Sequence, residues 1–195
     1  MKILSQICGF TFISFALFGC KTLPDQKPLP VISFAKAAPL LLDVVQIEIQ
    51  NNYKPSLKLP NVNHEMPLKL HHVAEIWGKD RLKAVGRTGT ARFIITQASV
   101  VETKLKQTEG IKGMFTIDQG ERYDGTLSAQ VEVSGGIARG TAMARAGVRA
   151  SRTISEDATL AERERKWFDM IEAMVNELDK TLEMQIHLHL KAFLK

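Results

Sequence analysis

Hydrophobic and polar residues alternate along this chain with a period that changes from stretch to stretch, and each change predicts an element. In LLLDVVQIEIQN, Val45, Ile47 and Ile49 alternate with Gln46, Glu48 and Gln50. That is the period of a strand with one wet face. Pro55, Pro60 and Pro67 then punctuate a loop. Over 68–85 the spacing turns helical: Leu70, Val73, Ala74 and Trp77 recur three or four residues apart, and Gly86 stands where a cap belongs. The run TARFIITQASVVETKLK is rich in β-branched residues, with apolar side chains on both faces in places. It predicts a long strand that is buried on both sides or bulged near 97–99.

Alternation then becomes regular. Phe115, Ile117, Tyr123, Leu127, Ala129, Val131 and Val133 take odd positions, and Thr116, Asp118, Arg122, Asp124, Thr126, Ser128, Gln130 and Glu132 take even ones. SGGI, at 134–137, reads as a two-glycine hairpin turn. With Gly135 and Gly136 as the loop, Val133 faces Ala138, Glu132 faces Arg139, Tyr123 faces Val148 and Arg122 faces Arg149. The returning strand carries Ala138, Gly140, Ala142, Ala144, Ala146, Val148 and Ala150 on one face. Such a flat surface asks for a bulky partner.

The final stretch supplies one. Thr159 and Glu162 form a capping-box pattern. Leu160, Trp167, Phe168, Ile171, Met174, Val175, Leu178, Leu182, Ile186 and Phe193 then recur at helical spacing. Trp77, Trp167, Met170, Met174 and Met184 read as core on the two helices. The element order is β-α-β-β-β-α, which predicts an α+β domain over 40–195. Its architecture is a four-stranded, antiparallel-rich sheet with two helices on one face, the C-terminal one long.

The chain before residue 40 has a different character. Residues 3–17 are mostly apolar after the single charge of Lys2, and shorter than the roughly 20 residues that span a bilayer. A charged start, a short apolar core and a small exit residue match a secretory signal peptide over 1–19. Leu17-Phe18-Gly19-Cys20 resembles the lipobox of bacterial lipoproteins, although Phe18 stands where that family usually carries a small or β-branched residue. The resemblance implies a diacylglycerol on Cys20, cleavage before it and acylation of the new amino terminus. Lys21 follows, where an aspartate commonly signals inner-membrane retention, and so leans towards the outer membrane with the domain facing the periplasm. Pro24, Pro28, Pro30 and Pro39 with scattered charges make 20–39 an extended tether. Beyond Cys20 the only other cysteine is Cys8, inside the signal, so the folded part has no internal disulfide.

Composition narrows the chemistry. A net charge of +5 over 195 residues is mildly basic, compatible with an anionic lipid surface and too weak to imply nucleic acid. His64-Glu65 opens like a zinc-protease motif, but Leu68 occupies the place of the second histidine. His71 and His72 point about 100° apart on a helix, and His187 and His189 also lie on different faces, so no metal site is expected. Ser33 and Lys36 have the spacing of a penicillin-binding serine and lysine without the companion motifs. No P-loop, nucleophile elbow or dinucleotide fingerprint occurs. The sequence gives no reason to expect a cofactor or an enzyme.

One basic feature stands out. Arg139, Arg145 and Arg149 share the odd face of the last strand, opposite the small-residue face, and Arg122 joins them across the inferred register. They are candidates for an anion, phospholipid-headgroup or acidic-partner surface, against the plainer reading of a solvated face with Asp118, Asp124 and Glu132 as neighbours. Together, the acylated cysteine, the tether and the element order resemble two lipoprotein families. These are the lipopolysaccharide-assembly lipoprotein of the outer membrane and the auxiliary lipoproteins of ABC-type transporters. That resemblance implies a non-enzymatic accessory protein held to the membrane by its lipid, with an envelope transporter or outer-membrane assembly component, and anionic lipid, as partners. A periplasmic small-ligand or cell-wall-binding lipoprotein is the alternative.

Overall fold

The computed structural model describes residues 28–106, 118–135 and 140–195. The signal segment, Cys20, Phe115, Ile117, Ala138 and Arg139 lie outside them. Among the described residues six strands and two main helices follow in order: β1 (Leu40–Leu42), β2 (Gln46–Asn51), α1 (Leu70–Arg81), β3 (Leu82–Ala84), β4 (Thr90–Lys104), β5 (Gln119–Gly135), β6 (Gly140–Ser155) and α2 (Leu160–His189). A short 3₁₀ turn, Lys191–Phe193, closes the chain. The main sheet has the order β2-β4-β5-β6. β2 runs parallel to β4, as a strand–helix–strand crossover through α1 requires, and the other two pairs are antiparallel. The α+β architecture expected from the periodicity is the one observed.

Both helices pack on one face of this sheet. β5 sends Tyr123, Leu127, Ala129, Val131 and Val133 inward, and β6 sends Ala144, Ala146 and Val148. α2 answers with Phe168, Met170, Ile171, Met174, Val175, Leu178, Leu182 and Ile186, all buried. Each aliphatic side chain so buried contributes about 1.5–3 kcal/mol relative to exposure. The helix comes very close: a Cβ built on Gly125 would sit 2.6 Å from Met174 Sδ. The capping box at its start is complete, with Thr159 Oγ1 accepting from the Glu162 N–H and the Glu162 carboxylate accepting from the Thr159 N–H. Glu162 consequently titrates below the usual carboxylate range, because the Thr159 backbone and hydroxyl bond its ionised form.

α1 is tied to α2 by a buried cation. Arg81, 1 % exposed, donates from Nε to Asp179 Oδ1 at 2.7 Å and from its second nitrogen to Glu183. Trp77 Nε1 donates to the same Asp179 oxygen at 2.6 Å. A second network joins α2 to β5. Arg163 donates to Glu121 and to the Tyr123 hydroxyl, and that hydroxyl donates to Glu121 at 2.9 Å. Burial and then the Glu121 hydrogen bond push the Tyr123 phenol well above its ordinary value. Burial would raise Glu121, but the hydrogen bonds from Arg163 and Tyr123 outweigh it and hold the carboxyl low.

Several sequence expectations are corrected. The first strand is two, because the chain breaks after Leu42 and β1 leaves to pair with β3 in a separate two-stranded sheet. That pairing also ends α1 at Arg81, short of the expected 85. Leu82 is already extended, so Gly86 caps nothing. Gly86 instead allows close approach, since a Cβ there would lie 2.4 Å from the Asp43 carbonyl carbon. The extended tether does not reach residue 39: Ile32 and Phe34 are buried, and the Phe34 N–H donates to Asp80 Oδ2 at 2.8 Å. Leu160 and Met184, expected in the core, are 68 % and 58 % exposed. Both lie on the solvent side of α2. The irregularity expected near 97–99 is a bulge between Ile95 and Gln97.

The hairpin register is shifted by four residues. Val133 faces Ala142, Glu132 faces Met143, Tyr123 faces Arg152 and Arg122 faces Thr153, while Gly135 and Gly140 close the ladder. An even shift keeps every side chain on its face, so alternation cannot distinguish the two registers; the length of the turn decides.

Candidate functional site: the uncovered face of the sheet

Even positions of β5 and odd positions of β6 point away from the helices, onto a face that no described element covers. The registers lay out its rows. Glu48, Arg92, Glu132 and Met143 cross the sheet at one end, followed by Gln50, Ile94, Gln130 and Arg145. Ser128 and Gly147 come next, beside Thr96 of the bulge, and Ser99, Thr126 and Arg149 follow. Val101, Asp124 and Ser151, then Thr103, Arg122 and Thr153, complete it.

Every acid in those rows already has a donor. Arg92 donates to Glu132 Oε2 at 2.6 Å, and Gln130 donates to its other oxygen at 2.8 Å. Glu48 accepts from Gln46 and Gln50. Asp124 accepts from Arg122 Nε at 2.9 Å. Arg145 and Arg149 are left over. Both are exposed, and among the described residues neither makes a hydrogen bond or ion pair.

These two arginines straddle Gly147 on the same face of β6. Four residues at about 3.3 Å each separate their Cα atoms by roughly 13 Å, within reach of two guanidinium groups converging on one anion. Gly147 leaves the space between them without a side chain. An open depression of about 490 Å³ lies beside Arg145, lined by Thr96, Ser128, Gln130, Arg145 and Gly147, with Arg149 outside its wall. Thr96 Oγ1 is turned to the Ser128 carbonyl at 3.1 Å, so the bulge holds the floor of the depression in place. Arg145 with the hydroxyls and amide of this depression, and Arg149 on the far side of Gly147, form a donor-rich surface suited to carboxylate or phosphate.

Of the four arginines singled out in the sequence, the structure therefore groups two. Arg122 lies on the same face but is neutralised by Asp124. It does not oppose Arg149, which faces Thr126, so the like-charge contact inferred from sequence is absent. Arg139 lies outside the described residues. Ser128, Gln130 and Thr96, which line the depression, were not anticipated as a group. Their alternation on β5 was visible, but the correct register and the bulge were needed to bring them to Arg145. Elsewhere, the His71 and His72 rings touch edge-on at 4.5 Å, and desolvation followed by the neighbouring His72 lowers the His71 pKa. No group of metal-ligating side chains forms among the described residues, and none of their helices is long and apolar enough to cross a membrane.

No family model and no curated protein matches the chain. Among solved structures, the rare lipoprotein B of Shewanella oneidensis is similar at 13 % identity over 71 % of this chain and 92 % of that one, with a TM-score of 0.37. A minor lipoprotein from Acinetobacter baumannii is similar at 8 % identity over 75 % and 94 %, with a TM-score of 0.41. A Xanthomonas campestris protein of the DUF330 family is similar at 10 % identity over 80 % and 91 %, with a TM-score of 0.31.

Proposed function

We propose that this chain is a lipid-anchored accessory protein of the bacterial cell envelope, held by Cys20, that recognises an anionic partner with its uncovered sheet face. The observation that carries the recognition is the pair Arg145 and Arg149, without an ionic partner among the described residues, in a face where each described acid is already bonded. The anchor is read from Leu17-Phe18-Gly19-Cys20 and the proline-rich segment behind it. In this reading the protein catalyses nothing. It sits at the outer membrane facing the periplasm and serves an assembly or lipid-transport machine, as the resemblance of its lipobox and element order implies.

Two measurements test it. Intact-mass analysis of membrane-extracted protein should find a chain that begins at an acylated Cys20, and Cys20→Ala should accumulate the unprocessed precursor. An unmodified thiol or a different start refutes the anchor. Extraction in mild detergent should retain a stoichiometric envelope protein, lost when Arg145 and Arg149 are changed to glutamine. A tightly retained small molecule in place of a protein would instead identify a ligand-binding lipoprotein.

A further inference from the structure

Among the described residues β6 is the last strand of the sheet and has only β5 beside it. Its 16 residues, Gly140–Ser155, thus leave one side of the backbone without a strand partner among the described residues. Open edges of this length invite another strand, and proteins normally shorten, cover or charge them. This one is charged in a single sign. It carries Arg145, Arg149 and Arg152 and no aspartate or glutamate.

That charge pattern selects the occupant. Two copies of β6 paired antiparallel about Gly147 would set Arg145 against Arg149 twice, and like charges directly opposite are destabilising. The same charges favour a strand whose acids alternate, because side chains on one face of an added strand would stand beside Arg145 and Arg149. We propose that the free edge of β6 takes up an extended, acidic segment of a partner protein by strand addition, its carboxylates pairing with Arg145 and Arg149. This rests on the anion-recognising reading above and gives that site its partner: a β-strand with glutamate or aspartate on alternate positions.

The test uses the full chain in detergent with labelled peptides of known composition. One peptide alternates glutamate with valine, a second alternates glutamate with proline at equal charge, and a third alternates lysine with valine. Strand addition predicts that the glutamate–valine peptide binds at least ten-fold tighter than the glutamate–proline one, in which every second residue lacks an N–H and is held at a φ of about −65°, away from strand values. It also predicts slowed amide exchange over residues 143–152. The double variant Arg145→Glu, Arg149→Glu should lose that binding and gain the lysine–valine peptide. Arg145→Gln, Arg149→Gln, with melting curves for both variants, separates lost charge from lost fold. Equal binding of both acidic peptides without protection of β6 overturns strand addition and leaves anion recognition standing. So does binding of soluble short-chain phosphatidylglycerol through the same arginines when the peptide fails to bind. If no acidic probe binds, or charge reversal changes nothing, both readings fall.

Discussion

Leu127 and Ser128 are neighbours in β5, yet the first is fully buried under α2 and the second lines an open depression on the other side of the sheet. The same division runs along β6, where Ala144 is buried and Arg145 exposed. On the helix-covered face, apolar side chains meet at van der Waals distance and the few charges are bonded from several sides. On the uncovered face, nearly all side chains are polar, ion pairs are exposed, and two arginines have no partner among the described residues. The first face holds the fold together. The second has a surplus of donors that folding does not use, and surplus of that kind points to recognition.

If this contrast is right, substitutions on the two faces should separate widely in cost. The largest effect is expected at Arg81→Met. It removes the cation between Trp77, Asp179 and Glu183 and leaves two carboxylates near an apolar interface. Breaking a buried ion pair costs about 3–5 kcal/mol, and partial exposure of Asp179 and Glu183 places this one near about 3 kcal/mol. Chemical denaturation should show it as a lower midpoint at unchanged slope. Wild-type stability would mean that α1 is held by Trp77 and Phe93 alone. Next comes Ala144→Trp. Ala144 has no exposed surface beneath α2, and overpacking there costs about 1–3 kcal/mol. An unchanged melting temperature would put the helix elsewhere.

Much of the covered face was legible in the sequence because burial imposes a period. Odd-numbered apolar residues on β5, alanines on even positions of β6 and three-to-four spacing on α2 each predict their burial, and the capping box marks where α2 begins. What escaped depends on pairing between distant segments. α1 stops at Arg81 because Leu82–Ala84 join β1, a partner about 40 residues earlier, which helical periodicity does not register. Arg81 itself looks like any surface arginine until α2 brings Asp179 and Glu183 to it. The uncovered face was legible only as a set of polar positions. Which arginine meets which acid depends on a register that alternation leaves undetermined by even shifts, so Arg122 was grouped with Arg149 when Asp124, two residues along its own strand, already holds it.

A smaller effect is expected where the covered core meets solvent. Glu121 is bonded by Arg163 and Tyr123, and its carboxyl titrates below the ordinary 4.5. A depressed folded-state value means that the carboxylate's contribution is complete above about pH 4.5 and is lost as pH falls through the lower folded value. Melting temperature followed downward from neutral pH should therefore drop more steeply for the wild type than for Glu121→Gln. At neutral pH the variant should melt below wild type, because the hydrogen bonds from Arg163 and Tyr123 are lost. Parallel acid profiles would show that Arg163 gains nothing from this contact.

The smallest stability change, and the sharpest test of the two-face contrast, is expected from Arg145→Gln combined with Arg149→Gln. Even exposed arginines that do have ionic partners contribute only about 0–1 kcal/mol, and these two have none among the described residues. Glutamine keeps a donor and much of the aliphatic stem, so β6 should retain its place against β5 and α2. Removing two like charges from a chain with a net charge of +5 also slightly relieves repulsion. The melting temperature should therefore match wild type or rise a little, while binding to anionic probes falls and loses its sensitivity to salt. Destabilisation comparable to Ala144→Trp would show that these guanidinium groups pack on the sheet as structural members. The donor surplus on the uncovered face would then belong to the fold.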